Sequence, residues 1–209
     1  MNPLVVAGIG TGIGKTFISA ILAEALEADY WKPVQAGNLD FTDTDTVHAL
    51  ISNPISYFYP EAYRLASPMS PHAAAAIDGV EIDLQKLSIP GTSKKLIIEL
   101  AGGLMVPLNN QLLNIDLITA WKLPVILVSQ HYLGSINHTL LSVDVLKARG
   151  IPLAGIIFNG ETNKASEEII LEYSGAPCLA RIKQEKEITK ETVAAYAHKF
   201  RKHLLDFLV

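Results

Sequence analysis

Apolar positions along the chain follow two rhythms. Short runs rich in Val, Ile and Leu fall at residues 4–8, 30–34, 95–99, 124–128, 153–158 and 177–182. Three of them, "KLIIEL", "PVILVS" and "AGIIFN", are apolar throughout rather than alternating. That pattern belongs to strands buried on both faces. Longer stretches between the runs predict helices at residues 15–26, 115–121, 136–149, 164–174 and 189–208. Gly150, directly after Arg149, is a helix stop. Strands alternating with helices predict an α/β fold, a mostly parallel sheet flanked by helices on both faces. Residues 53–71 break the rhythm with four prolines and several aromatics, and read as a long loop.

Composition narrows the class. An apolar content of 49% over 209 residues excludes a disordered chain and suits one domain spanning residues 1–209. A net charge of −4 leaves no polycationic footprint, so no nucleic-acid partner is expected. No apolar run approaches the ~20 residues of a membrane helix, and no basic leader precedes the first strand. The single cysteine, Cys178, rules out an internal disulfide and reads as a small buried residue. A cytoplasmic protein without a membrane partner is expected.

In sheets of this kind ligands bind beyond the carboxyl ends of the strands. After the first strand stands "GIGTGIGKTF". Its glycines let backbone N–H groups converge on an anion at a helix start, Lys15 can reach terminal phosphates, and the Thr16 hydroxyl suits Mg²⁺. The loop has five residues between Gly8 and Gly14, one more than the common phosphate loop. Lys32 follows the second run, as a surface lysine or as a cation facing the phosphates. Asp43 and Asp45 are helix caps or metal ligands. Glu99 closes an apolar run, where a bare carboxylate is costly and a bound Mg²⁺ would explain it. Ser135 or Gly134 can begin a helix that receives a carboxylate. Asn159 offers both a donor and an acceptor to a base edge, or serves a turn.

In order along almost the whole chain, these segments resemble dethiobiotin synthetase. The likeness rests on the long "TGIGKT" loop, "KPV" after the second run, "SPH" at residues 70–72, "AGG" after Glu99, "LPVILV" leading to "LGSINH", and Asn159. The resemblance implies a P-loop NTPase fold and a reaction late in biotin synthesis. With CO₂ and MgATP, 7,8-diaminononanoate is closed to a cyclic urea through a carbamate and a carbamic–phosphoric anhydride. It implies catalytic roles for Lys15, Lys32 and Thr11, and Mg²⁺ on Thr16, Asp45 and Glu99. The nucleotide would lie on Gly12, Ile13, Gly14, Lys15, Thr16, Phe17, Asn159 and Gly160. The diamine would border Thr11, Lys32, Ala36, Leu100, Ala101 and Gly102. Its carboxylate would sit on Gly134, Ser135, Ile136 and Asn137 of the second subunit of a homodimer.

The chain departs from that family's pattern at several points. Gly12 stands where many members carry an acid, Ala36 replaces Ser or Thr, and Leu100 replaces Gly. "ARIKQEK" replaces Gly-x-Ile-Pro, and Gly160 replaces Asp. The last two fall in the base-binding region, so relaxed base selectivity is expected. Two other P-loop readings fare worse. A partitioning or switch ATPase carries a lysine where Gly10 stands, and a small-molecule kinase needs a cluster of arginines that this chain lacks.

Overall fold

A computed structural model describes residues 3–208. Residues 1, 2 and 209, the ends of the expected domain, lie outside the described residues. The main sheet has seven strands: β1 (Leu4–Gly8), β2 (Asp29–Trp31), β4 (Phe58–Tyr59), β6 (Leu96–Gly103), β7 (Val125–Gln130), β8 (Leu153–Asn159) and β9 (Cys178–Ile182). They run in the order β4-β2-β6-β1-β7-β8-β9, and every pairing is parallel. Parallel pairing requires crossovers, and these carry the helices α1 (Lys15–Leu26), α2 (Asp43–Leu50), α3 (Pro71–Ile77), α4 (Asn114–Trp121), α5 (Ser135–Ala148) and α6 (Lys164–Ser174), while α7 (Lys190–Leu208) follows the last strand. A second sheet pairs β3 (Val34–Ala36) with β5 (Tyr63–Leu65), also in parallel.

Burial explains why the strands read as unbroken apolar runs. In β1, Leu4 and Val6 pack with α1 and α7 on one face, while Val5 and Ala7 pack with Ile115, Ile118 and Leu146 on the other. Both faces are therefore dry, and each fully buried aliphatic side chain contributes about 1.5–3 kcal/mol. The parallel order leaves the carboxyl ends of β1, β6, β7, β8 and β9 on one edge of the sheet, where the chemistry collects.

The α/β expectation holds, with four corrections. The run at residues 30–34 is two strands, because Pro33 has no N–H for the ladder and the chain leaves β6 there to join β5. The expected loop at residues 53–71 contains β4 and β5, which are too short to show alternation among the prolines. Glu99 does not end its strand, since β6 continues to Gly103. Helix α3 was not foreseen, and α2 was foreseen only as a helix start near Asp43 and Asp45.

Candidate active site

The turn after β1 delivers backbone N–H groups to one point. Gly12 and Gly14 take positive φ of 72° and 88°, and Gly14 begins α1 without any side-chain cap. The first N–H groups of α1 thus stay free for an anion. The Ile13 side chain anchors the turn in the core, and the space it fills over Gly8 exists because Gly8 has no Cβ. The Ile13 carbonyl accepts from Asn159 Nδ2 at 2.8 Å, which ties the turn to the end of β8. Lys15 is 7% exposed and donates to the Gly10 carbonyl at 2.9 Å. Burial lowers its pKa to about 8, with Lys32 pushing it further down against the pull of Glu99 and Asp43.

Glu99 is the hub of the site. Its carboxylate, 1% exposed, accepts from Thr16 Oγ1 at 2.9 Å, Tyr30 Oη at 3.0 Å and Lys32 Nζ at 3.0 Å. Lys32 lies at the junction of β2 and β3, 5% exposed, and pairs with Asp43 as well. Burial opposes the Lys32 charge, but Glu99 and Asp43 outweigh it and hold its pKa above the ordinary lysine value. Burial likewise opposes the Glu99 charge, and Lys32 and Lys15 overcome it and hold that carboxyl below its ordinary value. For Tyr30, burial and the adjacent Glu99 charge both raise the phenol's pKa.

Lys15, Thr16, Lys32, Asp43 and Glu99 line a cavity of about 930 Å³. The phosphate turn, Lys32, Asp43 and Glu99 form its floor. One wall is small and apolar, from Ala36, Ala101, Gly102 and Val106, and the Pro68–Pro71 segment, packed against Gly37, lines the cavity too. A second cavity of about 640 Å³ lies among Gly160, Glu161, Thr162 and the turn at residues 183–186. That turn is braced by Tyr196, whose hydroxyl accepts from the Lys183 N–H and donates to Glu185.

Residues 2–192 match a family model described as an AAA domain. An ATP-dependent dethiobiotin synthetase of Christiangramia forsetii is 51% identical over 96% of this chain and 97% of that one. Its counterpart in Cytophaga hutchinsonii is 52% identical over 95% of this chain and 97% of that one. The chain belongs to the dethiobiotin synthetase family. Fold likeness reaches further, to the cell-division ATPase MinD of Pyrococcus furiosus (TM-score 0.65, 17% identity, 99% of each chain). It also reaches a ParA-family ATPase of Chlorobium tepidum (TM-score 0.59, 14% identity, 94% of this chain and 97% of that one). At such identities the likeness extends to the fold alone.

Of the residues the dethiobiotin synthetase resemblance assigns, Thr11, Gly12, Gly14, Lys15, Thr16, Phe17, Lys32, Ala36, Glu99, Ala101 and Gly102 line the large cavity. Asp45 does not. Its carboxylate takes the N–H and hydroxyl of Thr42 in a capping box at the start of α2, and the carboxylate at the cavity is Asp43. The Leu100 side chain is buried in the core on the far side of β6 from Glu99, which leaves its backbone as the part that could border the diamine. Gly134, Ser135, Ile136 and Asn137 stand at the start of α5 and do not line the cavity of their own chain. Sequence reasoning missed Tyr30, which looks like any apolar strand residue, and left Ser70 without a role although "SPH" was visible.

The donors around Glu99 suit a hard cation. Thr16, Asp43 and Glu99 offer only oxygen, as Mg²⁺ prefers. Among the described residues no cluster of three or more His, Cys, Asp or Glu side chains suits a metal. Substrate phosphates would therefore have to complete the shell, which is how Mg²⁺ is held in phosphoryl-transfer sites.

The turn leaves little room for change at Gly14. A Cβ there would lie 2.3 Å from Asn159 Nδ2, on a backbone with φ of 88°. Gly14→Ala should weaken MgADP binding at least about tenfold, the effect of about 1.4 kcal/mol. Isothermal titration checks it, and unchanged affinity would mean the turn adapts.

Proposed function

We propose that the chain closes 7,8-diaminononanoate to dethiobiotin with CO₂ and MgATP. Family membership supports the reaction. The observation that carries the mechanism is Lys32 held charged between Asp43 and Glu99, beside Lys15 and a small apolar wall. One amine, as the free base, adds to CO₂: the N–C bond forms, a C–O π pair moves to oxygen, and the nitrogen loses one proton to leave a carbamate. A carbamate oxygen attacks the γ-phosphorus, and the bond to the ADP oxygen breaks. The second amine then attacks the carbamate carbon, loses its proton and expels phosphate, which closes the urea ring.

Lys15 and Lys32 stabilise the charge that develops on the phosphoryl and carbamate oxygens. Thr16, Asp43 and Glu99 would hold Mg²⁺, which supplies neutralisation of phosphate charge when bound. Thr11 and the wall of Ala36, Ala101 and Gly102 border the aliphatic chain. The diamine carboxylate meets Gly134–Asn137 of a second copy, a reading supported by the exposed apolar side chains of Leu133 and Ile136 around that helix start. Phosphate release from MgATP and bicarbonate, with and without the diamine, tests the reading. Release that requires the diamine, with dethiobiotin found by mass spectrometry, supports it, and hydrolysis indifferent to the diamine overturns it.

The base would lie toward Asn159, Gly160 and the 183–186 turn. Asn159 already spends one amide N–H on Ile13, and Gly160 offers no side chain. A site built to hydrogen-bond one base edge rejects others by about 10⁴-fold, whereas a site of shape alone gives about 10–100-fold. GTP and CTP are expected to support turnover within about tenfold of ATP, at the permissive end of that scale. Parallel kcat/KM measurements decide it, and a preference of about 10⁴-fold for ATP would restore strict base reading.

A further inference from the structure

The reaction proposed above must strip protons from ammonium groups, and the carboxylates on the floor of the cavity are already paired. Asp43 and Glu99 are paired with Lys32, and Lys15 and Lys32 are themselves cations. Of the hydroxyls lining the cavity, Thr16 is bonded to Glu99, Thr46 to the Thr42 carbonyl, and Thr11 is exposed with no base bonded to it. Ser70 is different. It precedes α3 yet makes no side-chain cap, and its Oγ instead meets His72 Nδ1 at 3.0 Å. Ser70 lines the cavity, while His72 stands behind it, outside the lining and partly exposed.

The surroundings hold that pair in place. The His72 backbone N–H donates to the Pro107 carbonyl at 3.2 Å. Gly37, one residue past Ala36, packs so closely on Pro68 that a Cβ would lie 2.6 Å from it. The segment bearing Ser70 is thereby pressed against the wall where Ala36 lacks a hydroxyl. We propose that Ser70 and His72 form a proton relay for the diamine, with Ser70 as the catalytic hydroxyl at the reacting nitrogen and His72 as the positioning and accepting group behind it.

This proposal rests on the reaction proposed above. In the relay an ammonium N–H passes its proton to Ser70 Oγ as the Oγ–H proton moves to His72 Nδ1. The nitrogen lone pair is released for attack, and the resulting imidazolium returns its proton to solvent. Most titratable groups on the elements packed with α3 are tied to other partners. β3 and residues 104–113 carry no titratable side chain. On β5, Tyr63 accepts from the Asp83 N–H, and Arg64 pairs with Glu61. Asp78 at the end of α3 accepts from the Ala66 N–H, and Asp116 of α4 pairs with Arg149. Glu81 and Lys86 lie on the segment that follows α3. Lys15, Lys32, Asp43 and Glu99 share the cavity lining with Ser70.

The test is the pH profile of diamine-dependent turnover in the full chain, with Ser70→Ala, His72→Gln and His72→Ala. Positioned general bases contribute about 10²–10⁴-fold, so kcat should fall at least about 10²-fold in all three. The KM for MgATP and the melting temperature should stay at the wild-type values. The wild-type acidic limb, where the imidazole becomes protonated, should vanish in His72→Gln, and added imidazole should restore part of the His72→Ala rate. Unchanged kcat, a loss confined to the KM for the diamine, or an acidic limb retained in His72→Gln overturns the relay. A wild type that shows no diamine dependence overturns the underlying reaction, and the relay with it.

Discussion

Lys15→Met should lower kcat about 10³-fold while leaving the free protein at least as stable as the parent, because the charge removed stabilises the transition state but burdens the fold. The two halves of this expectation have one cause. Lys15 is buried beside Lys32, and its pKa falls to about 8 from an ordinary 10.5. A shift of that size corresponds to about 3 kcal/mol of penalty for holding the charge in the folded protein. Loss of the hydrogen bond to Gly10 offsets about 1 kcal/mol of the relief.

The sign fixes the pH window. Below pH 8 both folded and unfolded Lys15 are charged, and the folded protein carries the full penalty. Between 8 and 10.5 the folded protein sheds its proton first, so wild-type stability gains on the variant and the gap closes. Melting temperatures of both proteins from pH 7 to 10, with kcat at pH 7.5, test the pair of claims. A variant that keeps a third of wild-type turnover would remove Lys15 from the chemistry, and one that melts well below wild type would make the lysine structural.

Glu99→Gln is the opposite kind of change. It should lower both stability and function. Three donors converge on this carboxylate, and the neutral amide leaves Lys32 buried with Asp43 as its remaining counter-charge. Breaking a buried pair from one side costs about 3–5 kcal/mol. In a chain of this length that is roughly 10 °C in Tm. Turnover should need a higher Mg²⁺ concentration, since one of the oxygen donors is weakened.

The Glu99 pKa is held below its ordinary 4.5, so its contribution is present above that pH and is lost as the pH falls through the folded value. The difference in Tm between wild type and Glu99→Gln should therefore be full at pH 7 and shrink below about 4.5. A Mg²⁺ titration identical to wild type would take Glu99 out of the metal shell.

Much of this was legible beforehand. The main strands other than the short β4, five of the helices and the phosphate turn each carry a local signal: an apolar run, a 3.6-residue period, or glycines before Lys15 and Thr16. What was hidden depends on competition between equal local readings. Asp43 and Asp45 both fit a metal or a cap, and residues two apart on a helix do not share a face. Only one could turn to the cavity. Thr42 and Asp45 stand three apart, as a capping box requires, and that spacing claimed Asp45. Glu99 was expected at a strand end because the apolar run stops there, yet Ala101, Gly102 and Gly103 extend β6 without needing apolar bulk. Tyr30 gave no signal, since its hydroxyl matters only once Glu99 is known to lie opposite.

Pro33 separates two sheets, and Lys32 sits at the seam. Lys32, the cation proposed for phosphoryl transfer, directly precedes Pro33, where the chain turns into the small sheet bearing Ala36 of the proposed diamine wall. The two halves of the reaction thus share one covalent joint. A substitution that tilts β3 against β5 displaces the ammonium as well as the wall. The diamine side of this enzyme cannot be re-cut for a longer or bulkier substrate without retuning the phosphate side, and attempts to broaden its substrate range should first show up as slower phosphoryl transfer.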